Sequence, residues 1–137
     1  MLLKISKLLY DIAFKIRSKS LYLELKYFIN KKQSYLKDIN YYDRGIGKSY
    51  NLIKLAVKYK CPIFISNHKM ESYIKSLAYK ILNRKKYNKL KTIVINNYGA
   101  RGRRYKLGLA EEGFKESDIN GIIKPMVTTL VGYRANY

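Results

Sequence analysis

Asp43-Arg44-Gly45-Ile46-Gly47-Lys48-Ser49 gives the clearest indication of the fold in this sequence. A short β-prone run, residues 39–42, precedes it, and a helix-like run, residues 50–59, follows it. A phosphate-binding loop needs small residues that let backbone N–H groups wrap an anion, a lysine that reaches the β and γ phosphates, and a hydroxyl that holds Mg²⁺. The two glycines, the lysine and the serine supply these groups in the required order. The stretch therefore predicts a strand, a phosphate-binding loop and a helix in succession.

The loop departs from the full pattern G-x-x-x-x-G-K-[ST] at its first position, where Tyr42 stands five residues before Gly47. Asp43 also brings a negative charge to the place where a triphosphate would lie, unless Arg44 offsets it. The alternative interpretation is a glycine-containing turn between a strand and a helix, with the Lys48 side chain in solvent.

With its flanking elements, RGIGKSY resembles the Walker A loop of P-loop NTPases. In sequence it is similar to the loops of DNA-packaging ATPases and small nucleotide-binding proteins of tailed phages. The close similarity covers about ten residues, and the order of elements extends it over roughly Ile39 to Arg134. The resemblance implies that ATP or GTP binds here with Mg²⁺, and that Lys48 is catalytic. The implied nucleotide contacts are Gly45, Ile46, Gly47, Lys48, Ser49 and Tyr50.

An acidic pair, Glu111 and Glu112, follows the apolar run at residues 106–110. In a Walker B element an apolar strand ends in an acid that holds Mg²⁺, and a second acid positions the attacking water. The resemblance implies that Glu111 shares the metal with Ser49 and that Glu112 is catalytic. Aspartate is usual at the first of these places, and the pair has an alternative role as the cap of the next turn. At the end of the last strand, Arg134 or Asn136 would sense the γ-phosphate.

The chain is strongly basic, with 29 lysines and arginines against nine acidic residues and a formal net charge of +20. Such a field attracts nucleic acid first, and an anionic membrane or an acidic protein second. The lysines are interleaved with 15 tyrosines, which offer stacking faces to bases, although an AT-rich genome favours the same composition. The expected nucleic-acid contacts are Arg84, Lys85, Lys86, Arg101, Arg103 and Arg104.

Cys61 is the only cysteine and His68 the only histidine of the sequence, which leaves no internal disulfide and no Cys/His zinc site. We expect Cys61 to be a small core residue and His68 to lie at a helix start or on the surface. No window offers roughly 18 uninterrupted apolar residues, and the N-terminus lacks the features of a signal peptide. The predicted location is the cytoplasm, that of the host if the chain is phage-encoded.

Residues 2–16 have the spacing of an amphipathic helix, and a polar break at residues 17–20 separates them from a second helix-like stretch. We expect the segment 1–36 to cover one face of a sheet or to make a homo-oligomer. Docking of another partner and contact with an anionic membrane surface are alternatives, of which the membrane is the less expected. The apolar positions of the first helix are Ile5, Leu8, Leu9, Ile12, Ala13 and Ile16.

Residues 37–137 alternate apolar strand-like runs with helix-like runs, with strands expected at 63–65, 92–95, 106–110 and 126–133. This order predicts an α/β three-layer fold with a mostly parallel central sheet, a minimal P-loop NTPase-like domain behind the N-terminal helical segment. The loop and the acidic pair both fall at the carboxyl ends of strands, where open α/β sheets bind ligands.

Two functions remain open from the sequence. The first is a phage-type P-loop protein that binds nucleotide and acts on or with nucleic acid, as an NTP hydrolase (ATPase) if Arg101, Arg103 or Arg104 of another copy completes the site. The second is a non-catalytic, strongly basic protein of the same fold that binds nucleic acid or an acidic protein partner, for example as an inhibitor of a host defence complex.

Overall fold

The structure, a computed structural model, describes residues 2–40, 47–95 and 103–135. The described chain begins with a long helix and then alternates strands with helices. The strands are β1 (Tyr35–Ile39), β2 (Ile63–Ile65), β3 (Thr92–Val94), β4 (Tyr105–Ala110) and β5 (Val127–Ala135). The helices are α1 (Leu2–Asn30), α2 (Lys48–Tyr59), α3 (His68–Ile81), α4 (Arg84–Lys89) and α5 (Glu116–Asp118), and α5 continues through a π-helical turn (Ile119–Ile123) and a 3₁₀ turn (Lys124–Met126) into β5.

The strands of the described residues form a five-stranded parallel sheet in the order β1-β5-β4-β2-β3. β5 lies between β1 and β4, and its Gly132 is opposite Ala110 of β4. A Cβ atom on Gly132 would lie 2.1 Å from the Ala110 carbonyl oxygen, so the close approach of these two strands requires glycine. The predicted α/β fold with a central parallel sheet is confirmed.

Helical segments cover both faces of the sheet because successive side chains of a strand point to opposite sides. Ile63 and Ile65 of β2 pack with α2, α3 and the C-terminal half of α1. Phe64, between them, packs on the other face with residues 114–126. The result is three layers, with the larger core on the α2 face.

The N-terminal segment is one helix, and the predicted break at residues 17–20 is wrong. α1 runs for 29 residues without interruption, since polar residues without proline or glycine do not end a helix. The expectation that this segment covers the sheet holds only for its C-terminal half, through Leu21, Leu25 and Ile29. Residues 2–13 of α1 are exposed.

Three local features differ from what the sequence patterns suggest. The strand before the loop occupies Tyr35–Ile39, where Tyr35 stacks on Phe28 of α1 and the strand pairs with β5 from its start, so the predicted start at residue 39 is wrong. Residues 41 and 42 of the predicted run lie outside the described residues. β3 is an edge strand with half-buried side chains, although its β-branched composition is typical of a strand covered on both faces. The basic run at residues 84–86 begins a separate short helix, α4, where Asn83 Oδ1 accepts a hydrogen bond from Lys86 N at 2.8 Å.

The predictions for the single cysteine and the single histidine are confirmed. Cys61 is buried beside β2, and burial raises the pKa of its thiol to about 12. His68 is the first residue of α3, with an exposed side chain. Within the described ranges, none of the helices combines the length and the apolar character that crossing a bilayer requires.

Candidate functional site

The amino-terminal turn of α2 carries the part of the predicted loop that the structure describes. Gly47 precedes the helix with φ 75° and ψ 26°, in the left-handed region that glycine adopts without strain. A Cβ atom on Gly47 would also lie 2.6 Å from Ser18 Oγ of α1. Glycine is therefore needed here for its backbone conformation and for the close approach of α1.

Lys48, the first residue of α2, meets Glu112 at the end of β4. Its Nζ lies 3.1 Å from Glu112 Oε2, and the two side chains are 12% and 23% exposed. Glu112 Oε2 is buried and accepts no hydrogen bond within the described part of the chain, so we assign this contact as an ion pair. The sheet order explains the meeting, because β1 and β4 flank β5 and the parallel strands end at the same edge.

Glu111 has a different set of partners. Its Oε1 accepts a hydrogen bond from the Ser66 backbone N–H at 3.0 Å, and its Oε2 accepts one from the Gly113 N–H at 2.8 Å. The side chain is 3% exposed. Glu111 therefore joins the turn after β2 to the turn after β4, while its neighbour meets the lysine of α2. Its predicted metal role stays a prediction, now in competition with these two amides.

Two buried polar side chains, Asn51 and Tyr133, belong to the same region and were missed in the sequence. Asn51 Nδ2 donates a hydrogen bond to the Ser18 carbonyl oxygen at 3.0 Å, which ties α2 to α1. Burial raises the pKa of Tyr133 above its ordinary value, the Asn51 side chain lowers it, and the nearby charge of Glu112 raises it further. The phenol is therefore neutral at pH 7. Asn51 was detectable as a polar residue within an apolar helix face, whereas a tyrosine in a strand gives no such signal.

An open cavity of about 1090 Å³ lies against Lys48. Small-molecule sites measure roughly 300 to 1,000 Å³, so this cavity has room for a ligand of nucleotide size. Lys54 Nζ lies 4.7 Å from the ring centroid of Tyr22 and 5.4 Å from that of Tyr50, which places a cation between two aromatic rings on its wall. The walls come from α1 (Phe14, Lys15, Ser18, Lys19, Tyr22, Leu23), the start of α2 (Gly47, Lys48, Ser49, Tyr50, Asn51, Lys54), α3 (Met70, Tyr73, Leu77) and Glu112.

Comparison of the chain with protein-family models, curated proteins and solved structures finds no match. What the site can do is therefore argued from its own contacts. Of the predicted nucleotide contacts, Gly47, Lys48, Ser49 and Tyr50 line the cavity, and Gly45 and Ile46 lie outside the described residues. Ranges 2–40, 47–95 and 103–135 contain no group of three or more Cys, His, Asp or Glu side chains placed to hold a metal.

The predicted nucleic-acid contacts lie at the opposite edge of the sheet from Lys48. α4, which carries Arg84, Lys85 and Lys86, comes just before β3, and Arg103 and Arg104 come just before β4. Both groups are exposed and lie at the amino ends of parallel strands, with β2 between β3 and β4. Arg101 lies outside the described residues. The topology thus places both described groups at the amino ends of strands, at the opposite end of the sheet from the candidate nucleotide site.

Arg134 is held away from a sensing role by two carboxylates. Its Nη2 lies 2.9 Å from Asp38 Oδ1 and its Nη1 lies 3.5 Å from Glu116 Oε1. The hydrogen bond and charge of Asp38 raise the pKa of this guanidinium. Tyr133, the preceding residue, packs in the core on the α2 face, so alternation along β5 directs Arg134 to the other face. Asn136 lies outside the described residues.

Proposed function

We propose that this chain is a P-loop-type nucleotide-binding protein that takes ATP or GTP with Mg²⁺ and works on or with nucleic acid. The observation that carries the proposal is the partly buried ion pair between Lys48 and Glu112. It joins the two motifs that sequence reasoning identified separately, at the carboxyl edge of a parallel sheet and beside a large cavity. If the loop were a simple solvated turn, the Lys48 side chain would extend into solvent rather than contact Glu112.

The residues present fit the phosphates of a nucleotide better than its metal ion. Gly47 and the first turn of α2 offer backbone N–H groups at the positive end of a helix, and Lys48 offers a charge that would move from Glu112 to the β and γ phosphates. Ser49, half-buried at the cavity wall, would hold Mg²⁺. Bound Mg²⁺ would neutralise charge that develops on the phosphates. Because both oxygens of Glu111 already bind amides, we assign the acid of this site to Glu112.

The second candidate is a basic binding protein of the same fold without turnover, and the contacts of Glu111 favour it. A carboxylate held by two backbone amides is a poor Mg²⁺ ligand, and the departures at Tyr42 and Asp43 point the same way. Such a protein would bind nucleic acid or an acidic protein, for example a component of a host defence complex, through its net charge of +20. Nucleotide would then be a structural ligand or no ligand at all.

Thermal unfolding of three proteins tests nucleotide binding. We expect Mg-ATP, Mg-GTP and their non-hydrolysable analogues to raise the Tm of wild type and to leave that of Lys48→Ala unchanged, each relative to its own nucleotide-free Tm. Lys58→Ala is the matched control, because Lys58 is exposed in the last turn of the same helix and its loss changes the net charge equally. An equal shift in Lys48→Ala would contradict the proposal.

Phosphate release separates the two candidates. In the first, wild type releases phosphate from ATP or GTP when DNA or RNA is present, and Glu112→Gln binds nucleotide but releases none. In the second, wild type releases no phosphate under any condition, whether or not it binds nucleotide. Turnover that persists in Glu112→Gln would remove the catalytic assignment of that residue.

A further inference from the structure

The outer face of α1 carries an apolar stripe along most of the helix. Its residues are large and exposed: Ile5 48%, Leu9 61%, Ile12 45%, Ile16 65%, Leu23 51% and Tyr27 55%. Spacings of three, four and seven residues keep them on one side of the helix, and at about 1.5 Å per residue the stripe is about 33 Å long. An exposed apolar surface of this extent is typical of a site that contacts another protein, a membrane or a ligand.

This stripe faces away from the body of the protein. The residues that pack α1 on the core are Leu21, Leu25 and Ile29. At about 100° per residue, their side lies roughly half a turn from the side that carries Ile5, Leu9 and Ile16. The helix can therefore lie with its stripe on a flat surface without obstruction from the domain. Residues 2–13, which are exposed on all sides, extend this surface beyond the domain.

The charges around the stripe select the occupant. Residues 2–20 contain five basic residues, Lys4, Lys7, Lys15, Arg17 and Lys19, against one acidic residue, Asp11. In a coiled coil with a second copy, the seam that begins with Ile5, Leu9, Ile12 and Ile16 would continue through Lys19, and buried lysines would face each other between two chains of charge +20. At a lipid surface Lys4, Lys15 and Lys19, which lie about 50° to 110° from the centre of the stripe around the helix, extend to the head groups while the apolar side chains enter the acyl boundary; Lys7 lies on the opposite side of the helix.

We propose that α1 is an interfacial helix that docks this protein on an anionic lipid surface, with Ile5, Leu9, Ile12 and Ile16 in the membrane boundary and the flanking lysines on the lipid phosphates. Contact of this kind is along the surface, in agreement with the absence, in the described part, of a helix fit to cross a bilayer. Leu23 of the stripe and Lys15 and Lys19 beside it also line the cavity, whereas Ile5, Leu9, Ile12 and Ile16 do not, so the proposal does not depend on the function proposed above. It reverses the order of preference that the sequence suggested for this segment.

The chain contains no tryptophan, so a single introduced tryptophan reports the environment of one position. Leu9→Trp places the reporter in the stripe, and Tyr10→Trp, at a neighbouring position that is 71% exposed, places it off the stripe. With vesicles of phosphatidylcholine and phosphatidylglycerol at physiological salt, we expect the emission of Leu9→Trp to move to shorter wavelength and that of Tyr10→Trp to stay unchanged. Vesicles of phosphatidylcholine alone should give a smaller response in Leu9→Trp.

Sedimentation with the same anionic vesicles supplies a second readout. The variant Ile5→Gln/Leu9→Gln/Ile12→Gln should bind at least about tenfold more weakly than wild type, whereas Leu3→Gln/Tyr10→Gln, exposed apolar residues off the stripe, should bind as wild type. Equal responses of the two tryptophans, or equal binding of the two Gln variants, would mean adsorption by net charge alone and would overturn the proposal. A blue-shifted Leu9→Trp spectrum without vesicles that grows with protein concentration would assign the stripe to a second copy and would also overturn it.

Discussion

Glu111 and Glu112 are adjacent in sequence, but their carboxylates make different contacts. Stability measurements should therefore distinguish the contributions of the two residues. Glu111→Ala removes a 3% exposed side chain together with its two charge-assisted hydrogen bonds, from the N–H groups of Ser66 and Gly113, which should lower the free energy of unfolding by about 2 to 4 kcal/mol. Glu112→Ala removes one partner of a partly buried ion pair, but at the wall of an open cavity solvent can reach the remaining Lys48 ammonium, so the cost should be smaller, about 1 to 2 kcal/mol. Urea unfolding at pH 7 measures both values. Equal losses would contradict the structural role assigned to Glu111.

The Cys61 thiol gives a pH dependence whose sign follows from its burial. Its pKa rises from 9.0 to about 12 on folding, so above pH 9 the unfolded chain loses a proton that the folded chain keeps. The contribution to stability is fully present below pH 9 and is lost as pH rises toward 12. The loss amounts to about 1.4 kcal/mol at pH 10.

Comparison of wild type with Cys61→Ala isolates the pH-dependent contribution of the thiol, because the cavity left by the substitution lowers stability equally at every pH. Between pH 8 and pH 10, the free energy of unfolding of wild type should fall by about 1.4 kcal/mol more than that of the variant. Urea unfolding at the two pH values checks it. Parallel declines in the two proteins would show that the thiol is not protected by the fold.

At the scale of elements, α1 has one face on the core and another in solvent, and a matched pair of leucines tests this orientation. Leu25 is 0% exposed and Leu9 is 61% exposed, on the same helix. Leu25→Ala should lower the free energy of unfolding by about 2 to 5 kcal/mol, because it opens a cavity in the core. Leu9→Ala should change it by about 0.5 kcal/mol or less. Urea unfolding without lipid is the measurement, and a large loss in Leu9→Ala would mean that the stripe is covered by protein.

The elements also show what the sequence could and could not predict. The apolar run at residues 63–65 and the β-branched run at 92–94 predicted strands correctly, since short apolar runs between turn residues favour that conformation. Their places in the sheet were not predictable, because the composition of β3 is that of a buried strand although it lies at an edge. Residue periodicity found an amphipathic α1 but not which side packs, because the sides carrying Leu25 and Leu9 are both apolar.

The candidate site was likewise predictable only in part. Lys48 and the acidic pair were expected at one edge of the sheet from their places after strands, and the structure confirms that Lys48 and Glu112 meet there. Which of the two acids meets the lysine depends on the residue at which β4 ends and on the turn that follows. Asn51 and Tyr133 were missed because their role arises only from packing of α1, α2 and β5. Gly45 and Ile46 stay predictions, since they lie outside the described residues.

At the scale of the whole molecule, the charge of +20 is distributed over surfaces with different roles. The cavity beside Lys48 lies at the carboxyl ends of the strands, the basic residues of α4 and those just before β4 lie at the amino ends, and the lysines of α1 accompany an apolar stripe. A polyanion bound at the amino ends would be separated from Lys48 by the length of the strands. Communication between them would have to pass through the sheet or through another copy of the chain.

Salt dependence of nucleic-acid binding tests whether the basic surface at the amino ends is a defined contact or part of a diffuse field. Lys85→Gln/Lys86→Gln should weaken binding to nucleic acid and lower the magnitude of the slope of log K against log salt by about 1.8 on duplex DNA and about 1.4 on single strands, because two phosphate contacts are lost. Lys115→Gln/Lys124→Gln removes the same charge from exposed positions on the segment that covers the other face of the sheet. Fluorescence anisotropy across a salt series measures both. If the control variant lowers the slope equally, the net charge rather than α4 determines binding, and the assignment of Arg84, Lys85 and Lys86 fails.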